Sequence, residues 1–153
     1  MATFTSRIRL EKQDNGANSG TWGTVLNQNV IDLVDDAVAG YTIVSCSSAI
    51  TLSSNNGSAD QARSAILELH GTLTSSVDVI IPSVTKQYLV RNNTSGAFSV
   101  TMKCAGGDGT AVPQGYAAIM YCDGVSVRSA FGTGASRNIG TSVTEIPDIS
   151  IAD

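Results

Sequence analysis

Residues 18–29 read Asn18-Ser19-Gly20-Thr21-Trp22-Gly23-Thr24-Val25-Leu26-Asn27-Gln28-Asn29 and hold the only tryptophan of the chain. Before them lies a polar leader in which Asn15-Gly16 and Ser19-Gly20 supply left-handed backbone positions cheaply. After them the apolar residues Trp22, Leu26, Val30, Leu33 and Ala37 recur three or four apart, with Val25, Asn29, Val34 and Val38 beside them. That spacing predicts an amphipathic helix from about Trp22 to Ala39. Thr21 is the expected N-cap, and Gly40 the expected C′ residue. Its valines and isoleucines lower helix propensity, and Asp35 and Asp36 sit at the dipole's unfavourable end. Such a helix is marginal alone, so its apolar face needs a partner.

At Tyr41 the period changes from helical to two. Strands are expected over residues 41–45, 49–53, 65–71, 77–81, 87–92, 98–103, 116–122 and 125–130, with a short helical turn over 60–64. Asn55-Asn56-Gly57-Ser58, Gly106-Gly107-Asp108-Gly109 and the hairpin signal Asp123-Gly124 punctuate them. About eight short strands with even spacing, preceded by a helix and not alternating with helices, point to a mostly β chain. The expected architecture is an antiparallel β-sandwich or jelly-roll-like domain. Three segments follow: an extended arm plus helix over 1–40, the β-domain over 41–130, and an extended Gly/Ser/Thr-rich tail over 131–153. In that tail Ile146, Ile149 and Ile151 stand apart as isolated apolar residues. Alternation of the last two is compatible with adding a strand to a neighbouring subunit.

The chain has 153 residues, enough for one ordinary core and too few for two. Charged residues make up 14% of the chain against the ~25% usual for soluble domains, a composition that permanent assemblies tolerate. A net charge of −4 with scattered basic residues offers no cationic stripe for a nucleic-acid backbone. No apolar run approaches membrane-spanning length, and the N-terminus lacks the apolar core of a signal peptide.

Residues that carry chemistry are sparse. The single histidine, His70, ends an apolar run with no nucleophile motif beside it. Cys46, Cys104 and Cys122 are odd in number and widely spaced. They read as small buried side chains and not as a disulfide framework or, with His70, a zinc site. Cys46 follows a strand-like run, and the other two each end one. The acids Asp35, Asp36, Asp78, Asp108 and Asp123 form no pair flanking a sugar cleft. Tyr88, Tyr116, Tyr121, Phe98 and Phe131 would suit a carbohydrate-binding face, but core packing accounts for them equally well.

Several motifs resemble one family. Arg9-Leu10, then Gly16-Ala17-Asn18-Ser19-Gly20-Thr21-Trp22-Gly23, then Leu26-Asn27-Gln28-Asn29-Val30-Ile31-Asp32-Leu33 resemble the start of tailed-phage structural proteins labelled tail fibre, many of them from marine and cyanobacterial phages. Asp60-Gln61-Ala62-Arg63, Gly71-Thr72-Leu73-Thr74, Ile81-Pro82-Ser83-Val84, Tyr88-Leu89-Val90-Arg91-Asn92 and Tyr121-Cys122-Asp123-Gly124 extend the likeness over roughly residues 7–130.

The resemblance implies a non-enzymatic virion protein, a short tail fibre or a fibre-attachment or adaptor module. It would assemble in the host cytoplasm as a homotrimer and dock on tail or baseplate proteins. It implies no catalytic residue, cofactor, metal, nucleic acid or membrane. A capsid decoration protein, or a receptor module binding host surface glycan, is the alternative. The expected oligomer or docking interface is the helix face of Trp22, Leu26, Val30 and Leu33, with Ile146, Ile149 and Ile151 of the tail as a second contact. Packing of that helix face against the subunit's own sheet is the competing reading.

Overall fold

A computed structural model describes residues 3–131. A two-residue hairpin opens the chain, β1 (Thr3–Phe4) against β2 (Glu11–Lys12). The helix occupies its expected span in three continuous pieces: α1 (Trp22–Leu26), a π-helical turn (Asn27–Ile31) and α2 (Asp32–Ala39). Its two ends differ from the sequence expectation. Thr21 makes no capping bond, and its hydroxyl instead donates to the Asn18 carbonyl at 3.3 Å. Gly40 is not left-handed but extended, with φ −62° and ψ 137°. Glycine serves there for a different reason: a Cβ would lie 2.4 Å from the Asp36 carbonyl oxygen, so the chain turns from helix to strand too tightly for a side chain.

Nine strands follow: β3 (Tyr41–Ser45), β4 (Ile50–Thr51), β5 (Ile66–His70), β6 (Val77–Ile81), β7 (Lys86–Asn92), β8 (Val100–Cys104), β9 (Gly109–Val112), β10 (Ala117–Cys122) and β11 (Val127–Ser129). A 3₁₀ turn, Gln61–Arg63, stands where the short helical turn was expected. Sequence patterning misses β9, because Gly109 and Pro113 bracket it as if it were loop.

The strands form two sheets, β11-β10-β7-β5-β3 and β4-β6-β8-β9. The antiparallel expectation fails for four of the seven strand pairings in these sheets. β3 pairs β5 in parallel, as do β5 with β7, β4 with β6 and β6 with β8. Only β8–β9, β7–β10 and β10–β11 are antiparallel within these two sheets. The physical reason lies in the connections. From β3 to β8 each turn carries the chain to the opposite sheet, so a strand meets the next-but-one strand running in its own direction. Turn residues in a sequence report that the chain bends, not which sheet receives it.

The chain therefore winds in flattened coils. Ile66 faces Leu89, Thr72 faces Ser95 and Val77 faces Val100, a constant step of 23 residues through both strands and the corner between them. The core lies between the sheets. Val44, Leu67, Leu69, Tyr88, Val90, Met120, Cys122 and Val127 come from one, and Val79, Ile81, Val100, Met102, Cys104 and Val112 from the other. Period-two alternation puts these residues on inner faces and the residues between them on the outer faces.

Two buried polar side chains hold the coils where ladder bonds stop. Asn92, fully buried at the end of β7, donates to the carbonyls of Phe98 (3.2 Å) and Val112 (2.9 Å) and accepts from the Thr94 amide (3.2 Å) and hydroxyl (2.6 Å). Arg63 is also buried and donates from Nε to the Ser58 carbonyl and from Nη2 to that of Asn55, which fixes the Asn55-Asn56-Gly57-Ser58 turn. At the far end Gly107 lies so close to the 125 loop that a Cβ would sit 1.8 Å from the Val125 oxygen. Replacing Asn92 with leucine leaves two carbonyls and two donors without partners inside the core. We expect a loss of about 4 kcal/mol or more in urea unfolding, since each orphaned buried group costs ~1–3 kcal/mol.

Candidate assembly surface

The helix does not bury its apolar stripe as a unit. Leu33 is 2% exposed and is taken up inside the subunit, Leu26 and Val30 are half-buried, and Trp22 is 53% exposed. Ile146, Ile149 and Ile151 lie outside the described residues. Sequence periodicity assumes a uniform 3.6-residue turn, whereas the π-helical turn at Asn27–Ile31 bonds one residue further on and rotates everything after it. The face left open after that turn is Ile31 (52% exposed), Val34 and Val38 (74% exposed), spaced three and four apart. The expected set of Trp22, Leu26, Val30 and Leu33 thus divides between interior and surface, and Ile31, Val34 and Val38 are the surface residues it omits.

A second apolar row crosses the outer face of the five-stranded sheet. The strand registers place Tyr41 beside Ile66, Ile66 beside Leu89 and Leu89 beside Ile119, one residue from each of four strands. Tyr41 and Ile43 stand out on β3, the edge strand, which among the described residues has β5 as its single partner. An edge strand of this kind presents free backbone donors and acceptors, a template for another chain.

The next row carries charge. Glu68 accepts hydrogen bonds from the Tyr41 hydroxyl (2.7 Å), from His70 Nε2 (2.8 Å) and from Asn93 Nδ2 (2.8 Å), and Arg91 pairs with it by register. The Tyr41 and His70 bonds hold the Glu68 carboxyl below its ordinary range, and the same bond pushes the Tyr41 phenol up. Both effects favour a charged Glu68 with a protonated Tyr41. The single histidine thus belongs to a surface hydrogen-bond network that spans β3, β5 and the residue after β7.

The five aromatic residues of the candidate sugar face are dispersed. Tyr88 is buried, with its hydroxyl donating to the Ala62 carbonyl at 3.0 Å, Phe98 packs against the core, and Tyr116 stands alone on a turn. Only Tyr121 and Phe131 share a site, an open cleft of about 470 Å³ with Asp108, Thr110, Arg128 and Ser129.

Beside this cleft Asp123 organises the β10–β11 hairpin. It accepts from the Ser126 and Val125 amides at 2.8 and 2.9 Å and from Arg128 Nε at 2.9 Å. Those bonds, the backbone amides foremost, hold its carboxyl at about 2.

No family model matches this chain, and no curated protein or solved structure matches it. The functional reading therefore rests on residues and geometry.

Among the described residues no group of three His, Cys, Asp or Glu side chains is placed to hold a metal, and no helix is long and apolar enough to cross a membrane. The cysteines are all buried, as expected of small apolar side chains. They do not converge with His70. Cys46 Sγ points to the Ser48 carbonyl, whereas Cys104 and Cys122 meet across the core with sulfurs 3.0 Å apart. The one sequence signal for that meeting is that both end a strand.

The depressed Asp123 carboxyl makes the hairpin acid-sensitive in a defined window. Its folded-state value lies below the unfolded one, so its stabilisation is present above about pH 4 and is lost as pH falls toward about 2. Thermal midpoints of wild type and Asp123→Asn, measured from pH 7 to pH 2, are expected to differ at neutral pH and to converge at the acid end. Parallel curves would show that the carboxylate does not hold the turn.

Proposed function

We propose that this chain is a non-enzymatic structural subunit of a phage particle, a short tail fibre or a fibre-attachment or adaptor piece. It self-associates as a homotrimer and docks on tail or baseplate proteins. The observation that carries the self-association is the exposed apolar helix face of Ile31, Val34 and Val38, on a chain with few charges to keep it apart from its copies. Trp22, Tyr41 and Ile43 are further exposed apolar residues. Large apolar patches on monomers are uncommon and mark contact sites, and closed symmetry is the rule for such oligomers. The phage-particle assignment rests on the sequence motifs from Gly16 to Leu33 and their continuation to Gly124. In this reading Trp22, Leu26 and Val30 contribute at the margin of the contact while Leu33 braces the helix from within, and Ile146, Ile149 and Ile151 form a second contact. Assembly takes place in the host cytoplasm, and the final location is the virion. Capsid decoration uses the same kind of surface, and copy number in the particle separates it from a tail role.

Light scattering on the full chain at micromolar concentration tests the reading. A trimeric mass is expected, and Val34→Asp combined with Val38→Asp should give a monomer with an unchanged β-type circular dichroism spectrum. A monomeric wild type at that concentration rules out self-association by this face. Docking is tested separately by deleting residues 1–40: particle attachment that survives the deletion removes the helix from the docking role.

A glycan-binding reading has one specific observation in its favour, the Tyr121–Phe131 cleft with Arg128 and Asp108 at its walls. Aromatic rings stack on the apolar faces of sugars while charged groups bond their hydroxyls. If it is right, a glycan array gives saturable binding that Tyr121→Ala weakens at least tenfold. Binding unaffected by that change, or none at all, leaves the cleft without this role.

A further inference from the structure

We propose that Cys104 and Cys122 are a covalent modification site, oxidised to a disulfide that staples the two sheets together. Cys104 closes β8 in the four-stranded sheet, and Cys122 closes β10 in the five-stranded sheet. Their sulfurs face each other at 3.0 Å, a short approach for two unbonded thiols. A further movement of about 1 Å brings them to the ~2.05 Å of a bonded pair. Both sulfurs also lie against the Pro82 carbonyl, at 4.0 and 3.9 Å, and the Gly124 amide donates to Cys122 Sγ at 3.3 Å. The two side chains are therefore held on one spot by the Pro82 carbonyl and the Gly124 amide. No other pair of cysteines is placed this way: Cys46 sits at the start of the first coil with its thiol toward Ser48.

The reaction needs a two-electron oxidant, for which a peroxide serves. One sulfur attacks a peroxide oxygen as the thiolate. The O–O bond breaks, a sulfenic acid forms, and the first water leaves after proton uptake. The partner sulfur then attacks the sulfenic sulfur, the S–S bond forms, the S–O bond breaks and a second water leaves. Hydrogen peroxide is reduced to two waters while two thiols lose two hydrogens.

Burial sets the conditions under which this happens. Both residues are fully buried, and burial together with the Cys122 contact pushes the Cys104 thiol up to about 11. The folded, reduced chain is therefore slow to react, and the bond closes fastest while the sheets are still assembling. Once closed, it joins strands 18 positions apart in sequence but on opposite layers. The unfolded chain then keeps that loop closed and gains less conformational entropy on unfolding.

The test uses the full chain with hydrogen peroxide as oxidant in two arms, one on folded reduced protein and one during refolding from urea. Free thiols counted under denaturing conditions should fall from three to one in the refolding arm, with the intact mass lower by two hydrogens. Peptide mapping without reductant should show a Cys104–Cys122 link, reductant should restore three thiols, and the urea midpoint of the oxidised form should be higher. Cys46→Ser should keep the link, and Cys104→Ser should abolish it. Mapping of the wild type decides the question even if Cys104→Ser fails to fold. Three thiols in both arms, a link through Cys46, or sulfinic acid without a link would overturn the proposal. None of these outcomes depends on whether the chain self-associates.

Discussion

The structure depends on one constraint, the parallel register between successive coils. Because Ile66, Thr72 and Val77 each meet the residue 23 positions later, the inner faces of β5 and β6 fall directly on those of β7 and β8. A slip of one residue would turn Leu67, Leu69, Val90 and Val100 outward together. Small groups hold the corners where this register could fail. Asn92 replaces missing ladder bonds with four of its own, and Arg63 pins the turn that leads from β4 back to β5. The hydrophobic core is thus the product of the register, and the buried polar groups are the means of keeping it.

Stacking of this kind makes each coil lean on its neighbours. β5 and β7 are covered on both sides, whereas β3, among the described residues, has a neighbour on one side only. The helix runs directly into β3 through Gly40, so it is tied to the coil with the fewest partners of its own. Its buried residue, Leu33, anchors it, and the rotated face of Ile31, Val34 and Val38 is left over. The apolar surface is in this sense a by-product of the π-helical turn: without it, the stripe read from the sequence would have stayed in one line.

Most strands and the extent of the helix are legible in the sequence, because period-two and period-3.6 patterns are local and strong here. The Asp123-Gly124 hairpin is legible for the same reason, since it is a contact between neighbours. What patterning does not convey is non-local. Alternation in Val77-Asp78-Val79 is the same whether its partner runs parallel or antiparallel, so the mixed sheets go unread. A faint trace of the coil exists in the match of Ile66-Leu67-Glu68 to Leu89-Val90-Arg91 at a fixed step, with opposite charges at the third position. The site residues divide the same way. Exposure of Trp22 and burial of Leu33 follow from a helical irregularity that no periodicity contains, and the Cys104–Cys122 meeting follows from how two sheets face.

The two ends of the stack are unlike. At one, β3 and β4 are the edge strands among the described residues. At the other, β9 and β11 are tied across the sheets by Val127, whose amide donates to Asp108 and whose carbonyl accepts from Thr110. Those two bonds engage the backbone of β11 at Val127. The run of parallel coils ends in the antiparallel pairs β8–β9, β7–β10 and β10–β11.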